Sequence, residues 1–401
     1  MANRLLQSLP MRHGVQMPGA RASRQLHGRA SSLTGISGVV GYTAYLYFDY
    51  FNASQFTRFP KPVAKSLRRA LYYTNIKPDP KLAHKNYKRA LEQCNEAGLD
   101  PFSDEVLGIR IQTAAWLEGI GNYNGAITVL GGLVADCLRW VAVMEKGVAD
   151  GSMPKDGKVL APKPPTDQKE AASTSTSVKL GELNADEHVM RPEDSQSRLT
   201  WAVETALKEF KRRTDEGEKE DEGPWMSPSE IGGALESLAR NYETRSQFQL
   251  ALPLLFHALR LCEDPCHRPV IMNNLAACFA QHPAGVALSM PTAPKGSPEA
   301  GAALKTPTTR EFYLQSALNW ASNARAHAAD VRGDDRTPEC DEACAVALCN
   351  LGDIYALAGR PSEARRSYEE CVKMSQGLDF PAGVAQAQAG LGRLGNAVKA
   401  S

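Results

Sequence analysis

Between Leu348 and Cys371 the chain reads LCNLGDIYALAGRPSEARRSYEEC, and the rest of the sequence has to be compatible with what this stretch folds into. Apolar or small residues fall at Leu348, Leu351, Gly352 and Tyr355, then at Ala364, Tyr368 and Cys371, with helical spacing on both sides of Gly359-Arg360-Pro361. The spacing predicts a helix, a tight turn and a second helix. Gly359 can end the first helix with positive φ, and Pro361 suits the first turn of the second, where its missing N–H costs nothing. Gly352 and Ala364 stand where two helices must approach closely, because a larger side chain would push the pair apart.

This pattern resembles the tetratricopeptide repeat, two antiparallel helices with small residues at their crossing. One pair cannot cover its own apolar face, so one repeat predicts others. Leu235, Leu238, Ala239, Tyr242, Ala251, Leu255 and Ala258 repeat the spacing. Met272, Leu275, Ala276 and Phe279 give a first helix whose partner, carrying Ala317, Ala321 and Ala324, follows an insertion. Ala114, Leu117, Gly121, Ala126, Leu130 and Leu133 form a weaker copy, and Ala83, Tyr87 and Ala90 the second helix of a degenerate one. The copies lie further apart than the ~34 residues of a strict array. The expected fold is therefore all-α, an interrupted tetratricopeptide-type helical-hairpin solenoid behind a single N-terminal transmembrane helix.

Residues 1–32 contain no Asp or Glu, while Arg4, Arg12, Arg21, Arg24 and Arg29 recur among Ser, Gln and Leu. That composition predicts a mitochondrial transit peptide. Residues 33–51 carry Asp49 as their one charge; as a helix they would span about 28 Å, close to the thickness of a bilayer core. Gly35, Gly38 and Gly41 share a face, and six aromatic residues crowd the second half, as at a membrane interface. Residues 52–80 form a basic juxtamembrane segment, able to rest on anionic head groups. Degenerate repeats are expected over 81–146, a disordered Pro/Ser/Thr-rich insertion over 147–198, a helix and central repeats over 199–280, a loop insertion over 281–307, and C-terminal repeats with a capping helix over 308–401. If the transit-peptide and anchor readings both hold, the expected location is the mitochondrial inner membrane with the C-terminal domain in the intermembrane space.

The 401 residues can bury a sizeable core, and a formal net charge of +1 argues against a general nucleic-acid binder. No phosphate-cradling, metalloprotease or nucleophile-elbow sequence occurs, so neither an enzyme nor a cofactor is expected. Of nine cysteines, Cys262 with Cys266 and Cys340 with Cys344 stand four apart near helix ends, open either to packing or to disulfide formation in an oxidising compartment. His257 and His267 flank the first pair, but the spacing fits no common metal site.

In a repeat array, specificity comes from polar residues that the first helices project into a shared groove. The register places Gln112, Ser237, Asn274 and Asn350 there, with Asn273 and Asp353 as neighbours. An Asn amide both donates and accepts, so it can pair with an extended peptide backbone whatever its sequence. No cluster of lysines that would grip a chaperone tail accompanies them. The layout, including CNEAGLDPFSDEVLGIRIQ before the first full pair, is similar to the fungal adaptor subunit of the mitochondrial i-AAA protease. That resemblance implies a non-enzymatic protein whose partners are inner-membrane AAA protease subunits and unfolded clients. An inner-membrane tetratricopeptide factor for respiratory-complex assembly, or an outer-membrane import receptor, would share much of this architecture.

Overall fold

In a computed structural model, residues 58–150, 166–218, 222–286 and 309–400 are described. The expected transit peptide and the expected anchor at 33–51 lie outside them. Among the described residues there are thirteen α-helices and one short 3₁₀ turn, and no strand. In order they are α1 Lys61–Asn75, α2 Pro80–Glu96, α3 Asp104–Gly119, α4 Tyr123–Ala149, α5 Thr166–Ala185, α6 Pro192–Glu216, α7 Pro228–Thr244, α8 Phe248–Leu261, α9 His267–Gln281, α10 Arg310–Asp330, α11 Pro338–Leu357, α12 Pro361–Gly377 and α13 Pro381–Ala400. The chain divides into two compact units between Ser173 and Thr174, inside α5.

In the first unit α1 packs on α2 and α3 on α4; in the second, α7 pairs with α8, α9 with α10 and α11 with α12, and α13 closes the end. First helices also pack on first helices, α9 on α11 and α11 on α13, which is how a solenoid stacks its hairpins. The fold is an all-α, tetratricopeptide-like helical repeat. Ala83, Ala126, Ala251, Ala317 and Ala364, the small residues that open the second helices, are all fully buried.

The turns repeat as closely as the helices. Helices α2, α3, α7, α11 and α12 each end with a backbone N–H bonded to the carbonyl five residues earlier: Leu99 to Cys94, Asn122 to Leu117, Gln247 to Tyr242, Arg360 to Tyr355 and Phe380 to Ser375. This is the Schellman turn, whose penultimate residue must be left-handed. Glycine fills that place at Gly98, Gly121 and Gly359, but Ser246 (φ 57°) and Asp379 (φ 52°) fill it in the other two. The helix starts follow the sequence as well. Asp79 accepts from Leu82 N at 3.0 Å, and Ser227 and Glu230 form a reciprocal capping box.

The segment 147–198, expected to lack structure, holds α5 and the first turns of α6. Some of its polar side chains bond back along the helix. Ser173 Oγ donates to Lys169 O at 2.7 Å and Asn184 Nδ2 to Leu180 O at 2.7 Å, while Leu180 and Leu183 are buried. Lys169 is buried too, donating to the Phe102 carbonyl and lying 3.6 Å from Asp104. Likewise α6 begins at Pro192 rather than near Leu199. Among the described residues one helix, along Tyr123–Gly147, is long and apolar enough to cross a bilayer. One edge of it, Ala126, Leu130, Leu133 and Cys137, is buried, with Leu133 and Cys137 packed on Leu107 of α3.

One tight crossing surrounds Tyr368. A Cβ built on Gly352 of α11 would lie 2.5 Å from its ring, and one on Gly390 of α13 would lie 2.4 Å from it. The ring thus occupies room that two glycines leave. Gly390→Ala is expected to destabilise the protein by about 1–3 kcal/mol despite the better helix propensity of alanine, as seen in urea unfolding. Tyr368→Leu in the same chain should recover part of that loss.

Candidate functional site

After packing, each first helix of the second unit keeps one row of part-exposed side chains. On α7 these are Glu236, Ser237 and Arg240; on α9, His267, Asn274 and Gln281; on α11, Glu339, Val346, Asn350 and Asp353. The rows follow helical spacing and mark the face that the hairpins leave uncovered.

The α8–α9 turn fixes one end of this face. Asp264 Oδ1 accepts from the backbone N–H of Cys266 at 2.8 Å and of His267 at 3.1 Å, and Arg268 donates to the carbonyls of Leu259 and Cys262, which closes the end of α8. Two links start from the residues so held. Cys266 forms a disulfide with Cys340 in the first turn of α11, across 74 residues of chain. His267 sits between two carboxylates, with Nε2 2.9 Å from Glu236 of α7 and Nδ1 2.8 Å from Glu339 of α11. The hydrogen bond to Glu236, against the opposing cost of burial and with the help of Glu339, pushes the imidazolium up to about 9. One side chain thereby joins three first helices.

The four cysteines singled out from spacing thus divide. Cys266 and Cys340 bond to each other, whereas Cys262 and Cys344 are buried thiols whose ionisation burial pushes up. Spacing alone pairs each cysteine with its sequence neighbour, but here the start of α9 meets the start of α11. Both ring nitrogens of His267 are engaged by carboxylates, and among the described residues no group of three or more His, Cys, Asp or Glu is placed to hold a metal.

The predicted groove residues also divide. Asn273 is 2% exposed, and its amide donates to the Ala343 carbonyl at 3.0 Å; it ties α9 to α11 and is not a ligand contact. Asn350 turns its amide towards Asn273, 3.4 Å from the carbonyl, and Asp353 accepts from Tyr368 Oη at 2.6 Å and Arg393 Nη2 at 2.8 Å. Ser237 donates to Glu182 of α5 at 2.7 Å. Asn274 alone among those of the second unit is part-exposed with no hydrogen bond to the described residues. Gln112 is also part-exposed but belongs to the first unit. Asn274 lies on the part-exposed row of α9. One position away, on the helix–helix side, the same amide becomes structural. The His267 clamp was missed because its carboxylates lie 31 and 72 residues away in sequence.

No family model matches the chain. Over 79 residues it is 38% identical to Protein MRG3-like of Saccharomyces cerevisiae (strain ATCC 204508 / S288c), a match that covers 19% of this chain and 17% of that protein, less than a fifth of either. Among solved structures, a Podosopora anserina protein of the kinesin light chain type with nearly identical TPR-like repeats is 14% identical, with 66% of this chain and 92% of that one covered at a TM-score of 0.39. BtubC (BKLC) from P. vanneervenii is 11% identical, with 80% and 91% covered, also at 0.39. Superpositions at that level add nothing to the repeat assignment, which stands on the hairpins, turns and crossings above.

Two measurements test the clamp and the bond beside it. The folded value for His267 lies above the unfolded value near 6.5, so its contribution is complete below pH 6.5 and is lost as pH rises through 9. With the side chain 37% exposed, about 1–2 kcal/mol is expected after solvent screening, and the slope should vanish in His267→Gln when unfolding is followed by urea across that range. Separately, Cys340→Ala at fixed pH should lower stability by about 2–4 kcal/mol, since it opens a long loop in the unfolded chain.

Proposed function

We propose that this chain is a non-enzymatic adaptor anchored in the mitochondrial inner membrane. It holds unfolded or unassembled proteins on the first-helix face of its second unit and delivers them to the i-AAA protease. The observation that carries the binding part is Asn274: on the central helix of the face, it keeps a free donor and a free acceptor where its neighbours are already bonded. Such a group suits an extended backbone, which an unfolded client offers irrespective of its sequence.

The cellular part is supported from three sides. The first 48 residues have the acid-free, arginine-bearing composition of a transit peptide, and residues 33–51 have the length of an anchor. The Cys266–Cys340 bond suits an oxidising compartment such as the intermembrane space. The layout is similar to that of the fungal i-AAA adaptor, and the 79-residue likeness is to a fungal protein.

Purification of the C-terminally tagged protein from gently solubilised mitochondria should recover an ATP-dependent inner-membrane protease in stoichiometric amounts. Recovery of respiratory-complex subunits without the protease would replace this reading with that of an assembly factor. For the face itself, Asn274→Ala should weaken binding of an unfolded client about five- to tenfold with no change in melting, the loss of one or two hydrogen bonds. Asn273→Ala should instead lower stability.

A further inference from the structure

The first hairpin separates charge in a chain that is otherwise balanced. Between Arg58 and Glu96 there are ten Lys and Arg against three Asp and Glu, although the whole chain has 46 against 45. All three acids are occupied at the far ends of α2. Asp79 caps its start, while Glu92 and Glu96 both bind Arg89 near its end. Lys61, Lys65 and Arg69 follow one another at four-residue spacing along α1, all exposed and with no ion pair among the described residues. Lys81 and Lys85 do the same on α2.

The α1 row ends on an apolar side chain. Ile76 is 61% exposed at the turn into α2, next to exposed Lys77 and Pro78 and one helical turn beyond the part-exposed Tyr72–Tyr73 ring pair. A large aliphatic side chain held out into solvent beside lysines has no use for a phosphodiester backbone, but it suits the boundary between head groups and acyl chains. In the sequence, the apolar stretch 33–51 ends shortly before Lys61, so a chain anchored there would keep this hairpin within reach of the bilayer.

We propose that the α1–α2 hairpin docks on an anionic bilayer surface, with Ile76 entering the interface and the lysines contacting phospholipid head groups. This surface is separate from the client-binding face and does not depend on any partner assigned to it. Basic residues at such a surface contribute about 1 kcal/mol each, roughly fivefold in partitioning per residue.

The test uses the full chain with an environment-sensitive fluorophore on Ile76→Cys. All nine native cysteines are either buried or in the disulfide, so the label is selective. The chain is incorporated into vesicles of phosphatidylcholine alone or of phosphatidylcholine with phosphatidylserine. Emission from position 76 should shift to the blue on the anionic vesicles only. The shift should be lost in about 0.5 M NaCl, where screening is within several ångströms. It should also be lost in Lys77→Glu/Lys81→Glu/Lys85→Glu, three exposed changes whose folding circular dichroism verifies. The same label at Val143→Cys, an exposed apolar position on α4, should not shift. Equal emission on both vesicle types, an unaffected charge-reversed variant, or an equal shift at position 143 would each overturn the proposal. So would tight binding of an oligoribonucleotide by these lysines with no response to vesicles, which would assign the patch to nucleic acid.

Discussion

Two helices can lie against each other at backbone distance only where one of them offers almost no side chain, and this condition recurs along the described hairpins. Ala83, Ala126, Ala251, Ala317 and Ala364 meet it with alanine, and Gly352 and Gly390 meet it with no Cβ at all. Large residues then fill the space beside the contact: Tyr87, Tyr313 and Tyr368 are among the largest fully buried side chains. Small residues set the helix spacing, tyrosines lock it, and the turns take the one left-handed residue that the resulting angle demands.

Most of this was legible because it is local. Helical spacing, a small residue at the crossing and a Gly or Pro at the turn all lie within one hairpin, so 24 consecutive residues were enough to define the repeat. Two other features were not legible. Composition marked 147–198 as unable to fold, yet α5 bonds Ser173 back to the Lys169 carbonyl and buries Leu180, Leu183 and even Lys169. The left-handed turn positions at Ser246 and Asp379 carry no glycine to announce them.

The candidate face was only half legible. Register could say which side of α9 and α11 was free of hairpin packing, but not that neighbouring first helices would claim Asn273 and Asn350 for each other. It could not bring Glu236 and Glu339 to His267, because that meeting is a property of stacking three hairpins. The polar atoms of this face are therefore spent mainly on holding adjacent repeats in register. Asn274 makes no such bond to the described residues.

A solenoid has no long-range contacts to arrest a fray, so an opening that starts at α13 can run inwards one hairpin at a time. The Cys266–Cys340 bond changes that. When α13 and α12 have peeled away and α11 unwinds as far as Cys340, the chain there is still fastened to the start of α9, with α9 and α10 both inside the closed ring. A pull on the C-terminus would pass through the sulfur bridge to Cys266 and on towards α8, bypassing both α9 and α10. Against a machine that unfolds by traction, this protein would present a knot-like stop in the middle of its second unit.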